Sequence, residues 1–444
     1  MKNFFLLSAL LFASNCFAQF QIGSRTITLN DPSRNRNIEC EVYYPATTSG
    51  NNAPVANGQF PVVVFGHGFS MLVGSYENWW TEFVPEGYIF VLATTEAPAI
   101  PIPPPSHSAF GLDLAFVAEG AQAWNTDQNS PFFEKVSART AVVGHSMGGG
   151  CSFLAAQNNP IFDCIVGMAP AETNPSAITA AADVTAPTLI LSGTSDGVTP
   201  PANDHIPIYN ATGSSCKYFV NIQEGSHCYF ASNPGVCSFG EFSPGSLSAA
   251  DQQAVSYAVC RPWFEYFLKD ICPAWDNFQT ALSTETDLGT IDSDCVNDDP
   301  VIADNNGTLE SDAQPNYQWY LNGVEIPNAD QQAFAYTQSG TYQVGTTILG
   351  NCPNLSNEIV VQITGIVERE INLATASNGV QITSRDRLDN VTLEWFDVSG
   401  KLMASQSIAS VSANQQIDIK KPRFTGVKLL RLSSNQATKT WRLY

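Results

Sequence analysis

Gly144-His145-Ser146-Met147-Gly148 is the stretch on which the reading of this chain turns. It follows Thr140-Ala141-Val142-Val143, an apolar run of the kind that forms a short buried strand. It precedes Gly149-Gly150-Cys151 and Ser152-Phe153-Leu154-Ala155-Ala156-Gln157, a helical pattern. Strand, Gly-x-Ser-x-Gly, helix is the setting of a nucleophile elbow, with the serine on a strained turn at a strand's carboxyl end. Glycine-sized flanks are needed there because strand and helix pack closely. The pattern predicts Ser146 as a nucleophile.

A serine hydroxyl needs a base to take its proton, and the base needs a carboxylate to hold its tautomer. Only five histidines are present. His145 lies inside the elbow, with its side chain directed away from that of Ser146. His67 and His107 precede the nucleophile, against the Ser, Asp, His order of an α/β-hydrolase. His205 and His227 remain. His227 sits in a Gly-Ser-His turn after the strand-like 218–221, the position a base requires, whereas His205 falls in a loop or helix start. The acid should follow the strand between elbow and base. Asp196 does so, after Leu189-Ile190-Leu191-Ser192-Gly193, with Asp204 as the fallback.

A developing oxyanion needs two backbone N–H donors. Met147, next after the nucleophile, supplies one. The other is expected from Phe69 in Gly66-His67-Gly68-Phe69-Ser70, directly after the strand-like 61–65. The Phe69 ring is also placed to stack on an acyl group.

Strand-like runs at 26–29, 38–44, 61–65, 88–93, 164–168, 187–191 and 218–221, with helical patterns at 112–122 and 249–267, make residues 19–292 one α/β unit. The first two runs alternate as half-exposed antiparallel strands do. The later ones are continuously apolar, as in a parallel sheet covered on both faces. A proline-rich loop at 97–105 is stiff and extended, a candidate wall of the substrate groove. Trp79 and Trp80 read as core. From 293 to 364 the helical patterns give way to short alternating strands, with a hairpin signal at Leu321-Asn322-Gly323. Residues 367–444 are again strand-like. The fold class is thus α/β, followed by two small all-β domains.

The chain has 444 residues and a net charge of −21, from 41 acidic and 20 basic side chains. That balance disfavours binding to nucleic acid or an anionic membrane surface. Beyond the N-terminus no run is long and apolar enough for a membrane span. Residues 1–18 read as a secretory leader, with Lys2, an apolar stretch and Cys16-Phe17-Ala18 before the cleavage point. Ten cysteines follow it, an even number that suggests disulfides in an exported chain. Proximity favours Cys228–Cys237 and Cys260–Cys272, then Cys151–Cys164. Cys295 and Cys352 are placed to staple the 293–364 segment. No paired Cys-x-x-Cys occurs, so no metal is expected.

Three resemblances add to this reading. Gly144 to Gly150, then Asn158-Asn159-Pro160, Met168-Ala169-Pro170, Asn78-Trp79-Trp80, Gly87-Tyr88 and Gly225-Ser226-His227 resemble the bacterial cutinases and poly(ethylene terephthalate) hydrolases over about residues 25–275. That family, on the dienelactone-hydrolase branch of the α/β-hydrolases, implies a monomeric ester hydrolase without cofactor or lid, with an open groove. Its catalytic residues transfer to Ser146, Asp196 and His227, and its oxyanion donors to Phe69 and Met147. The family usually carries a tryptophan after the Ala-Pro as a clamp on an aromatic ring. Ala171 stands there, which weighs against aromatic polyesters relative to aliphatic, cutin-like or short-chain esters. A Cys228–Cys237 loop is also inserted after the base. Trp319 followed by Tyr342 resembles bacterial immunoglobulin-like spacers. Asp397-Val398-Ser399-Gly400-Lys401, Gly426 to Leu432 and a basic final strand resemble the sorting domain of the Bacteroidetes type IX secretion system. The implied partners are an ester or polyester substrate and that export machinery, with the mature enzyme released or held at the cell surface. Two other functions are a narrow carboxylesterase and a non-catalytic surface adhesin.

Overall fold

Side chains alternate along a strand, so a sheet covered on both faces sorts them into two cores, and β4 below shows this sorting. The computed structural model describes residues 19–97, 104–363, 371–376, 379–397, 399–420, 428–435 and 438–443. The expected leader at 1–18, most of the proline-rich loop, residues 364–367, Gly426-Val427 and Tyr444 lie outside the described residues. Contacts divide the chain into two units: Met1–Asp299 with Gly345–Leu355, and Pro300–Val344 with Ser356–Tyr444.

The first unit holds ten strands: β1 (Gln21–Asp31), β2 (Arg36–Ala46), β3 (Gly50–Asn51), β4 (Phe60–Gly66), β5 (Ile89–Ala93), β6 (Val136–His145), β7 (Cys164–Met168), β8 (Thr188–Gly193), β9 (Cys216–Ile222) and β10 (Leu288–Cys295). They form one sheet in the order β10-β9-β8-β7-β6-β4-β5-β2-β1-β3. The six strands from β9 to β5 run parallel, and β2 and β10 close this block antiparallel. The helices are α1 (Glu77–Phe83), α2 (His107–Ala123), α3 (Met147–Ala156), α4 (Ala177–Ala181), α5 (His205–Ala211), α6 (Ala249–Lys269) and α7 (Ala274–Thr284). Val63 and Phe65 of β4 join α1, α6 and α7 in one core, while Val62 and Val64 join α2, α3, α4 and α5 in the other. Trp79 and Trp80 are both buried, the latter stacked on Tyr43 at 4.0 Å between ring centroids.

This two-sided packing corrects the disulfide expectations. Cys151 on α3 and Cys164 on β7 belong to opposite cores and both remain free. Cys260 lies buried inside α6, a rigid rod rising about 1.5 Å per residue, which holds it too far from Cys272 for a bond. The bonds present are Cys228–Cys237, as expected, with Cys216–Cys295 and Cys272–Cys352. Cys295 and Cys352 thus staple the first unit rather than the following segment.

β10 continues past the expected boundary at 292, pairing with β9 as far as Cys295. Gly345–Leu355 adds Leu349 and Cys352 to the core around α6 and α7. A chain ending at Asp299 keeps all of β10 and the Cys216–Cys295 bond but loses Leu349 and the Cys272–Cys352 bond. One ending at Asp292 loses in addition Ser293, Asp294 and Cys295 of β10 and with them the Cys216–Cys295 bond, at a further cost of about 2–5 kcal/mol. Melting curves of the two truncations check this; equal stability would show that the end of β10 contributes little.

Among the described residues the regular elements of the second unit are all strands. One part packs Trp319, Leu309, Tyr342, Val344 and Val361, with Trp319 stacked on Phe334. Its Asn322-Gly323 turn has positive φ at both residues, 53° and 75°, as a two-residue type I′ hairpin requires. The other part packs Val391, Leu393, Trp395, Leu430 and Leu432. Strand Leu388–Phe396 alternates buried and partly exposed along most of its length.

Candidate active site

β6 ends at His145, and Ser146 turns with φ 56° and ψ −119° directly into α3. A non-glycine residue held there stores on the order of 1–3 kcal/mol of strain. The neighbours over-determine it: a Cβ on Gly144 would lie 2.2 Å from the Gly148 carbonyl oxygen, and one on Gly148 would lie 2.1 Å from that of Gly66. The Ser146 N–H donates to Met168 O at 2.9 Å, and its carbonyl accepts from Gly150 and Ala171. Its side chain makes no capping bond to the helix it heads. The hydroxyl therefore sits at the positive end of α3, uncommitted to that helix.

Asp196 lies in the turn after β8, buried, with all its acceptor positions occupied. Its Oδ1 accepts the N–H groups of Val198 at 2.9 Å and Thr199 at 2.8 Å. Its Oδ2 accepts His227 Nδ1–H at 2.7 Å and the Thr199 hydroxyl at 3.1 Å. Burial raises the carboxyl's pKa, but the His227 bond and the nearby imidazoles outweigh it, and the group stays below the usual carboxylate range. Asp204 is half-exposed and accepts Glu172 N–H at 2.8 Å instead.

His227 follows β9 and is held through its backbone. Its N–H and that of Cys228 donate to the two oxygens of buried Glu241, and Gln252 of α6 clamps both backbone groups of Ser226. His145 ties this loop to the elbow. Its Nε2 lies 2.9 Å from the His227 carbonyl, which can only accept, so Nε2 carries the proton and Nδ1 accepts from Tyr76 O–H at 2.8 Å. Tyr76 in turn accepts Gly68 N–H at 2.8 Å. One polarised chain thus links the loop after β4, the elbow and the loop that carries His227.

The Gly68 N–H is spent on Tyr76, whereas the Phe69 N–H has no protein acceptor among the described residues. The Met147 N–H opens α3 and has no intrahelical partner. The Phe69 ring is half-exposed and Ala171 partly so, its N–H on Ser146 O; no ring stands in the position after Pro170. His67 and His107 are engaged with backbone groups of Gly68, Thr95 and Asn174.

Several residues escaped the sequence reading. Thr199 is the clearest, and His205, weighed above and set aside as the base, is its buried partner. His205 heads α5 but is fully buried, with Nδ1 2.8 Å from Ser192 Oγ and Nε2 3.0 Å from Thr199 Oγ1. Thr199 has one proton, which faces Asp196 Oδ2 and Ala169 O, so His205 Nε2–H donates to it and Ser192 donates to Nδ1. No local signal marks Thr199, because its contacts with Ala169 O and His227 Nδ1 come from other loops. Thr199→Val is expected to leave His205 Nε2–H unpaired and loosen Asp196, costing about 1–3 kcal/mol and lowering turnover. Thermal unfolding and kcat check this; an unchanged kcat would make Thr199 a bystander.

Burial holds His145 down to about 3 and His205 to about 4, against an ordinary 6.5. Stability is then full above pH 6.5 and falls below it, because the unfolded chain takes up protons that the folded one refuses. Each ring contributes a loss of up to about 1.4 kcal/mol per pH unit until its folded pKa is reached. Asp196, lowered from 3.8, contributes fully above that pH and loses its contribution as the pH falls below it. A melting temperature that stays flat between about pH 7 and about pH 4.5 would contradict the neutral assignment of both rings.

Comparison with known proteins gives one family. The model of the PET hydrolase-like family matches residues 13–243, just over half of the chain. Cutinase est1 of Thermobifida alba is 32% identical over 120 residues, 27% of this chain and 38% of its own length. The bis(hydroxyethyl) terephthalate hydrolase of Streptomyces coelicolor is 26% identical over 203 residues, 46% of this chain and 58% of its own. Cutinase 1 of Thermobifida cellulosilytica is 33% identical over 108 residues, 24% and 39%. Each match spans less than two thirds of the relative.

Proposed function

Because the chain belongs to the PET hydrolase-like family, whose fold is that of the α/β-hydrolases, we propose that it is a serine ester hydrolase acting on polyesters. The observation that carries this reading is the 2.7 Å bond between buried Asp196 and His227, in loops beside the strained Ser146 elbow. In the proposed reaction Ser146 Oγ attacks the ester carbonyl carbon while His227 Nε2 takes its proton. Asp196 holds Nδ1–H and balances the charge on the imidazolium. The N–H groups of Phe69 and Met147 receive the oxyanion. Collapse expels the alcohol, protonated by His227, and leaves an acyl group on Ser146. Water, deprotonated by the same imidazole, then releases the acid. No cofactor enters these steps, and one copy of the chain supplies every group.

The relatives' names, cutinase and bis(hydroxyethyl) terephthalate hydrolase, support esters of both aliphatic and aromatic acids as substrates. The second unit is read as an immunoglobulin-like spacer followed by a type IX sorting domain. With the leader at 1–18 and three disulfides, this supports export to an oxidising compartment. A narrower reading, a carboxylesterase for small soluble esters, is favoured by Ala171 alone, since no ring there clamps a polymer unit. Product release from polycaprolactone, aromatic polyester film and p-nitrophenyl butyrate decides between them. Release from the soluble ester alone would leave the narrower enzyme; release from none would end the proposal.

A further inference from the structure

The loop that follows His227 carries a surface for which ester hydrolysis on a small molecule has no use. Phe239 is 81% exposed and Phe242 is 92% exposed, the two most exposed large apolar side chains described. Between them Glu241 is buried, both its oxygens spent on the N–H groups of His227 and Cys228. The same carboxylate that fixes the base's backbone therefore holds one ring out to water on either side. The Cys228–Cys237 bond closes the loop further. These rings are presented rather than left over, since burying a phenylalanine is ordinarily favourable and the loop is pinned from within.

The surface continues into neighbouring loops at the carboxyl edge of the sheet. Ser232 and Asn233 donate their N–H groups to Ser75 O, and a cavity of about 230 Å3 lies there, lined by Leu72 and Val236 among others. Toward Asp196, Gly240 approaches the side chain of Val198. Phe69, Leu72, Val198 and Val236 are all more than a third exposed. The loops that carry Asp196, His227 and the Phe69 N–H thus share one apolar rim.

Charge identifies what this rim meets. In a chain of net charge −21, residues 231–247 contain a single ionisable side chain, Glu241, and it is buried. Around the two rings this segment offers a basic protein no exposed acid of its own, and an anionic lipid or nucleic acid no base; the one carboxylate at its far end, Glu224, lies against Ser246. Protruding rings without a deep pocket fit a broad, neutral, apolar face. Resting on the polyester reading above, we propose that Phe239 and Phe242 are an adsorption site for the surface of a solid, uncharged polyester, which sets the enzyme down with its active-site rim against the polymer.

The test uses the full chain. Depletion from solution onto polycaprolactone powder is measured for Ser146→Ala with and without Phe239→Ser and Phe242→Ser, so that the surface is not eroded during binding. The double change is expected to weaken adsorption by about tenfold or more, as loss of two ring contacts implies, with each single change intermediate. In the otherwise unaltered chain it should slow film hydrolysis and leave p-nitrophenyl butyrate turnover unchanged. Unchanged adsorption would overturn the proposal. So would an equal loss on soluble ester, which would mean a disturbed site, or an equal loss of binding to phosphatidylcholine vesicles or casein, which would mean a lipid or protein surface. Failure of the unaltered chain on soluble esters would instead end the hydrolase reading, with adsorption still measurable on Ser146→Ala.

Discussion

Replacing Ser146 with alanine is expected to lower p-nitrophenyl butyrate turnover by roughly 10⁴-fold or more, the scale set by removing a serine nucleophile that acts with its base as a unit. The fold should survive. The backbone bonds of Ser146 to Met168, Gly150 and Ala171 do not involve its side chain, and alanine keeps the Cβ already accommodated at φ 56°. The substitution thus separates chemistry from strain. Turnover retained to within tenfold, at an unchanged melting temperature, would place the nucleophile elsewhere.

Asp196→Asn should be nearly as damaging, by roughly 10⁴-fold in kcat, and the geometry says why. Oδ1 accepts two backbone N–H groups, from Val198 and Thr199, a role only the amide oxygen of asparagine could keep. The amide nitrogen would then face His227 Nδ1 and donate to it, where Oδ2 now accepts at 2.7 Å. His227 would be pushed into the tautomer that carries its proton on Nε2, unable to take one from Ser146. Asp204→Asn is the control. That carboxylate caps Glu172 N–H rather than holding an imidazole, so turnover should hardly change. If the two substitutions were equally harmful, the assignment of the acid would fail.

The α/β sheet and the elbow were legible in the chain because both rest on local patterns. Short continuous runs of β-branched residues such as Val62-Val63-Val64, bounded by turn residues, fit central strands, and a Gly-x-Ser-x-Gly between strand and helix fits a nucleophile elbow. Chain order and strand ends also pointed to Asp196 over Asp204 and to His227 over His205. β10 was missed for the complementary reason. Leu288 to Cys295 is mostly polar and exposed, an edge strand held by its pairing with β9 and by Cys216 rather than by apolar alternation.

The sequence alone determined what depends on neighbours in the chain: the strand–turn–helix that strains Ser146, the run of parallel strands and the Asn-Gly hairpin. Only the tertiary structure decided what depends on loops brought together at one sheet edge. It alone sets Thr199 against Ala169 and His227, Tyr76 between Gly68 and His145, and Glu241 beneath His227 with a phenylalanine exposed on each side. It also separated Cys151 from Cys164, on opposite faces of one sheet. The physical reason is the same throughout. A hydrogen bond or disulfide between distant residues leaves no periodicity in the chain, because its geometry exists only after the strands have stacked.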